Sequence, residues 1–199
     1  YTWDGSDQLI SVADQLGNTV VYGYDLRGNR TSQTVKDGGG NIATQVSMVY
    51  DARSHVQSVT SAGGTTNITN DALGNPTQVT DPKGQTTSNQ FDALNRLWQS
   101  VNALSGATTG AFTPAGQLAQ LTTPNGAAFS FMVDDLGNQL QEGSPDRGVV
   151  AKSFDAAGNL KSKTDARGVT VSYGYDALNR LTQVTYPSST ENTAYSYDS

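Results

Sequence analysis

No cysteine occurs in the chain. That excludes a disulfide framework, a thiolate metal site and a cysteine nucleophile, and it leaves the redox compartment open. Glutamate is nearly missing too: Glu142 and Glu191 are the only two among 18 acidic residues. Glutamate suits helix interiors, whereas aspartate and glycine suit turns, so this balance and the 21 glycines point away from helix. Cations are few, 12 Lys and Arg against a net charge of −6, and they are scattered. Phosphate binding needs them clustered, so nucleic acid is not an expected partner. No apolar run approaches the ~20 residues of a membrane helix, and no basic-then-apolar leader opens the chain. Apolar residues make up only 35%, and nine tyrosines outnumber five phenylalanines, which suits a sheet with one wet face.

What the chain has instead is a period. An anchor residue, nearly always aspartate and nearly always after an aromatic, returns about every 21 residues. The pairs are Trp3-Asp4, Tyr24-Asp25, Tyr50-Asp51, Asn70-Asp71, Phe91-Asp92, Phe112-Thr113, Val133-Asp134, Phe154-Asp155, Tyr175-Asp176 and Tyr197-Asp198. About nine tandem units fill residues 1–199, with no separate second domain. The chain opens and closes within a repeat, as expected of a fragment of a larger protein.

The unit from Phe154 to Asp176 shows the anatomy. Leu160–Thr164 is a short run between two turns, and Val169, Val171, Tyr173 and Tyr175 then alternate with small or polar residues. Period two predicts a strand with one buried face. Three positions after each anchor stand Asp7, Gly28, Ser54, Gly74, Asn95, Gly116, Gly137, Gly158 and Asn179. Most are residues that tolerate positive φ, as a turn with a bulge between antiparallel strands requires. A second turn recurs at Asp14–Gly17, Asp81–Gly84, Asp146–Gly148 and Asp165–Gly168. In both sets the aspartate side chain is expected to accept backbone N–H bonds within the turn. The expected fold is all-β: about 18 strands in tandem antiparallel hairpins, forming a curved, spiralling strip of roughly 85 Å. The Gly38-Gly39-Gly40 region, where the spacing stretches to 26, reads as a longer loop. Thr113 and the stretch from Ala103 to Gly110 read as a weak point.

Tyr175-Asp176-Ala177-Leu178-Asn179-Arg180-Leu181, Phe91-Asp92-Ala93-Leu94-Asn95-Arg96-Leu97 and Asp71-Ala72-Leu73-Gly74-Asn75 resemble the YD repeat of Rhs proteins. The family includes bacterial polymorphic toxins, insecticidal toxin-complex C components and teneurins. The resemblance covers essentially the whole chain. It implies a hollow β-shell, non-enzymatic, that encloses a C-terminal toxin domain of the same parent chain and helps deliver it. It also implies a bacterial protein that is secreted or at the cell surface, several members using the type VI apparatus in competition between bacteria. Two departures stand out. Family shells use many more than nine repeats, and the DPxGL-type core motif is absent, Asp81-Pro82-Lys83-Gly84 being followed by Gln85.

Candidate chemistry is sparse. His55 falls where other repeats carry Asn29, Asn75, Asn138 or Asn159, and so reads as a turn substitute at the surface. A lone histidine without cysteine cannot make the usual zinc site. Asp134 and Asp135 are adjacent, yet nothing places them across a cleft as a glycosidase requires. Aspartate- and glycine-rich turns could hold calcium, but no Gly-Gly-x-Gly-x-Asp run exists. Tyr22, Tyr24, Tyr173 and Tyr175 could offer sugars flat faces, or could pair across strands to hold the ribbon. Carbohydrate or cell binding is therefore the alternative function, as the resemblance also implies. No catalytic, cofactor-binding or metal residue is assigned, and no cofactor. The expected partners are the enclosed toxin domain, further copies through edge strands, and a glycan on the alternative reading.

Overall fold

The computed structural model of the chain describes residues 1–198. It divides into two compact units, Tyr1–Ser105 and Gly106–Ser199. The first holds β1 (Thr2–Trp3), β2 (Leu9–Ala13), β3 (Thr19–Tyr24), β4 (Arg30–Lys36), β5 (Ile42–Tyr50), β6 (Val56–Ser61), β7 (Gly64–Asn70), β8 (Pro76–Thr80), β9 (Thr86–Phe91) and β10 (Leu97–Val101). The second holds β11 (Ala107–Phe112), β12 (Leu118–Thr122), β13 (Ala128–Val133), β14 (Gln139–Ser144), β15 (Gly148–Phe154), β16 (Leu160–Thr164), β17 (Thr170–Tyr175), β18 (Leu181–Thr185) and β19 (Thr193–Ala194). A single 3₁₀ turn, Ser189–Glu191, precedes β19. Within each unit every strand pairs antiparallel with the next one in sequence. The all-β hairpin architecture expected from the period is therefore present.

Each unit is one layer thick. Among the described residues the only large apolar side chain that is buried is Val184, at 7% exposure. Alternation still sorts the two faces. One carries Val12, Val20 and Val35 in register, then Ile68 beside Val79, Leu121 beside Phe129, and Tyr173 beside Val184. The other carries Ser32 beside Ser47, Ser47 beside Thr60, Ser58 beside Asn67, and Ser162 beside Ser172. The apolar face is only half-buried because no second layer lies on it, so cross-strand pairs and ladder hydrogen bonds carry the stability.

Three sequence expectations need correction. The Gly38-Gly39-Gly40 region is not a long loop. Asp37 donates its N–H to Asn41 O at 2.9 Å and Gly40 donates to Asp37 O at 2.9 Å, which closes an ordinary five-residue turn. The extra residues lengthen the flanking strands instead, β4 to seven residues and β5 to nine. The stretch after Ala103 is not soft either: a turn closes at Ser105, whose φ is 62°, and β11 follows. The boundary between the two units nevertheless falls there. Asp146 does not anchor its turn; Ser144 pairs with Gly148, so Asp146 lies inside a three-residue loop.

The positive-φ expectation holds at all nine positions after the anchors, from Asp7 at 58° to Gly74 at 89°. Gly158 isolates the backbone cost, because its φ is +85° and an added Cβ would meet nothing within 4 Å. We expect Gly158→Val to lose about 1–3 kcal/mol in urea unfolding, with Ala157→Val nearly neutral. Gly158→Asn should be mild, since Asn95 and Asn179 already hold that position at 60° and 61°. Equal losses for Gly158→Val and Ala157→Val would overturn the turn geometry.

Candidate functional site

The repeated element is the aspartate turn. In the Asp155 turn, Asp155 donates its N–H to Asn159 O at 2.9 Å, and Gly158 donates to Asp155 O at 3.1 Å. The carboxylate then fills the interior: Oδ1 accepts from the N–H groups of Ala157 and Asn159, both at 2.9 Å. Oδ2 accepts from Asn159 Nδ2 at 3.1 Å. The same three carboxylate bonds recur at Asp14, Asp25, Asp37, Asp71 and Asp134. A carboxylate one methylene from the backbone is the only ionised side chain short enough to reach both N–H groups, which is why aspartate and not glutamate recurs.

The residue four after the anchor supplies the second donor and varies. Arg96 Nε and Arg180 Nε each reach their aspartate at 2.7 Å. His55 Nδ1 stands 3.2 Å from Asp51 Oδ2, in the place asparagine takes elsewhere. The histidine is thus the turn substitute the sequence suggested, and its ring also lies against Gly74 of the next turn. Ten aspartates, at 14, 25, 37, 51, 71, 92, 134, 155, 165 and 176, are held below the ordinary carboxylate value of 3.8. At eight of them the largest cause is the side-chain donor, Asn or Arg; at Asp51 and Asp176 it is a backbone N–H, from His55 and Arg180.

The aromatic before the anchor has a separate job. Beside each anchor turn the ladder slips register: Tyr24 pairs with Arg30 but Gly23 with Ser32, and Tyr175 with Leu181 but Gly174 with Gln183. Such a bulge disturbs the ladder bonds of the residue at the slip. At six of these slips the carbonyl accepts a bond from the next repeat. Tyr24 Oη donates to Leu9 O at 2.9 Å, Tyr50 Oη to Arg30 O at 2.9 Å, Tyr175 Oη to Leu160 O at 3.1 Å and Tyr197 Oη to Leu181 O at 2.7 Å. Where the anchor is preceded by Asn70, its Nδ2 donates to Val56 O at 2.8 Å. Where Phe91 has no hydroxyl, Asn89 two residues earlier reaches Pro76 O at 2.9 Å. Sequence reasoning missed this role; the signal was the polar group shared by tyrosine and Asn70 at one repeat position. Neighbouring turns are tied as well, Arg53 donating to Ala72 O at 3.1 Å, Asn75 to Asn95 at 3.1 Å and Asn159 to Asn179 at 2.9 Å.

The other sequence candidates take their places in this frame. Asp134 spends both carboxylate oxygens on its own turn, while Asp135 is exposed at the tip. Tyr24 and Tyr175 use their hydroxyls on the preceding repeat, and Tyr22 lies under Arg30, whose guanidinium carbon is 5.6 Å from the ring centre. Tyr173 packs beside Val184. For calcium, no group of three His, Cys, Asp or Glu side chains converges among the described residues.

Two tests follow from this geometry. A carboxyl held below its unfolded value adds stability above that value and loses it as pH falls through the folded one. Thermal unfolding followed by circular dichroism should therefore stay level from neutral to about pH 4 and drop below 3.8; a level midpoint down to pH 2 would contradict the turn assignment. Tyr175→Phe should cost about 0.5–1.5 kcal/mol, the value of one hydrogen bond, whereas Tyr22→Phe should cost less. Equal costs would remove the hydroxyl bond from the account.

Comparisons with known proteins bear on what this element is. A family model described as RHS Repeat matches residues 3–42, 71–108 and 154–191, more than half of the chain. No curated protein sequence matches. Among solved structures, TcdB2-TccC3 without the hypervariable C-terminal region is similar at TM-score 0.75 and 15% identity, over 96% of this chain and 13% of that one. TcdB2-TccC3-TEV is similar at TM-score 0.73 and 14% identity, over 94% and 11%. The Tc holotoxin pore of Photorhabdus luminescens is similar at TM-score 0.67 and 14% identity, over 89% and 12%. The chain thus spans roughly an eighth of the length of these relatives, and at such identities the likeness is one of fold. Turn, bulge and inter-repeat bond recur with the period that the family model matches, and the chain belongs to the RHS repeat family.

Proposed function

We propose that residues 1–199 form one uninterrupted section of the wall of an Rhs shell, with no enzymatic role of their own. The shell encloses a toxin domain carried by the same parent chain and takes part in its delivery. The parent protein is bacterial and acts outside the cell that makes it, with the type VI apparatus as a route the family resemblance implies. The observation that carries this reading is the tie between repeats: the hydroxyls of Tyr24, Tyr50, Tyr175 and Tyr197 are each spent on the previous repeat's main chain. A repeat that completes its predecessor extends by addition, which is how a wall of any length is made. The fold likeness to toxin-complex chains supports the same reading.

A second reading, glycan binding, has one observation in its favour. A cleft of about 660 Å³ lined by Tyr22, Tyr24, Asp4, Asp25 and Arg27 lies between the first two anchor turns. The shell reading is tested in the parent protein by limited proteolysis. The domain after the repeats is expected to resist protease until the repeats are unfolded, and to be digested at once when expressed without them. Digestion at equal rates in both settings would overturn the shell, and saturable binding of an oligosaccharide abolished by Tyr22→Ala would put the glycan reading in its place.

A further inference from the structure

The β4–β5 hairpin is longer than its neighbours, and its two flanks differ. On one flank β3 pairs with the whole of β4, from Tyr24 beside Arg30 to Thr19 beside Lys36. The tip is also held there: a Cβ added to Gly38 would lie 2.4 Å from Leu16 O, and Gly17 is in contact with Gly38. On the other flank β6 is short. Its pairing with β5 ends at Ser47 beside Thr60, and the chain turns back at Ser61, which pairs with Gly64. Ile42, Ala43, Thr44 and Gln45 therefore pair with β4 or flank its bulge but have no strand on their far side. All four are exposed, Ile42 at 59%.

Strand alternation says which main-chain groups face that open side. Asp51 donates to His55 O to close the β5–β6 hairpin, so Val49 and Ser47 turn their N–H and C=O groups toward β6. Gln45 and Ala43 continue the same series, whereas Thr44 and Val46 face β4. A notch of about 410 Å³ lies beside them, lined by Ile42, Ala43, Thr44, Gln45, Ser47, Thr60, Ser61 and Ala62. No lining residue is charged, and most are β-branched or small, which fits a strand partner.

We propose that this overhanging edge of β5 accepts an extended, uncharged peptide segment of about four to six residues as an added antiparallel strand. The occupant follows from three features of the site. The acceptor is continuous with the β5–β6 ladder and already fixed on its other flank, so the added strand prolongs an existing ladder across a preordered edge. The lining is free of charge, so it offers a charged segment no ion-pair partner. The edge is only four residues long, far short of the ~1,200 Å² that a stable pair of folded copies needs, so a flexible segment suits it better than a second copy. Edges of this kind are usually blunted by lysine, proline or a bulge; Ile42–Gln45 carries neither lysine nor proline, and its one such device is the bulge at Ala43. The proposal does not depend on the shell reading.

The test uses the 199-residue chain and a fluorescein-labelled hexapeptide of alternating threonine and valine, followed by anisotropy. Gln45→Pro removes an N–H that faces the notch, whereas Thr44→Pro removes one that bonds β4. The expected result is saturable binding below about 1 mM by the unaltered chain, weakened at least about tenfold by Gln45→Pro with its melting temperature kept. Thr44→Pro should melt earlier, which confirms the assigned orientation. The proposal is overturned if the unaltered chain shows no saturable binding, if Gln45→Pro binds equally well, or if Gln45→Pro melts as early as Thr44→Pro. Sedimentation showing a dimer that Gln45→Pro abolishes would make a second copy the occupant, and would overturn it too.

Discussion

The structure depends on a bond that one repeat makes to the main chain of the repeat before it, at the slip beside an anchor turn. Every anchor turn but that of Thr113 uses an aspartate to fold five residues into a tight reversal, and the residue in the left-handed region gives that turn its bulged form. The ladder then slips one residue beyond the turn. At five positions the next repeat supplies a donor to the carbonyl there from the residue just before its own aspartate: Tyr24, Tyr50, Asn70, Tyr175 and Tyr197. Adjacency of tyrosine and aspartate is thereby explained: one residue builds its own turn, and the one before it binds the main chain of the repeat before.

Such an arrangement lets a sheet one layer thick hold its form without a closed core. A globular domain of this length would bury a cluster of large apolar side chains. Here the contributions are local and repeated, so no single repeat is decisive and individual parts can be exchanged. Asn70 and Asn89 replace the tyrosine hydroxyl, Arg96 and Arg180 replace the asparagine donor, and Thr113 holds the turn with its hydroxyl accepting from Gln117 at 3.2 Å. Thr113 lacks a carboxylate, yet the backbone bonds of its turn, at 2.8 and 2.9 Å, match those of the aspartate turns. The turn is thus a backbone form that aspartate favours but does not solely determine.

Much of this was legible in the residues. Period, strand alternation and positive φ depend on local chemistry, and the nine positions after the anchors all took the expected conformation. His55 and Asn159 could be equated because both sit four after an aspartate. Other features were hidden because they depend on pairing between segments. Whether the five extra residues around Gly38 lengthen a loop or two strands turns on where Asp37 and Asn41 meet, and a run of three glycines suggests a loop. The tyrosine hydroxyl meets a carbonyl 15 residues earlier for Tyr24 and Tyr175, so its role appears only once the register is known. The open edge of β5 is likewise a difference between two hairpin lengths and not a motif.

A sheet built by repetition is held by ties from one unit to its neighbour, and that coupling has a direction. Hydrogen exchange on the Tyr50→Phe variant, resolved by residue, measures it most directly. Protection is expected to fall in the preceding repeat, around Arg30–Ser32 at the bulge where Tyr50 binds, while the Asp51 turn keeps its own. Loss confined to the Asp51 turn, with the amides around Arg30 unchanged, would contradict it.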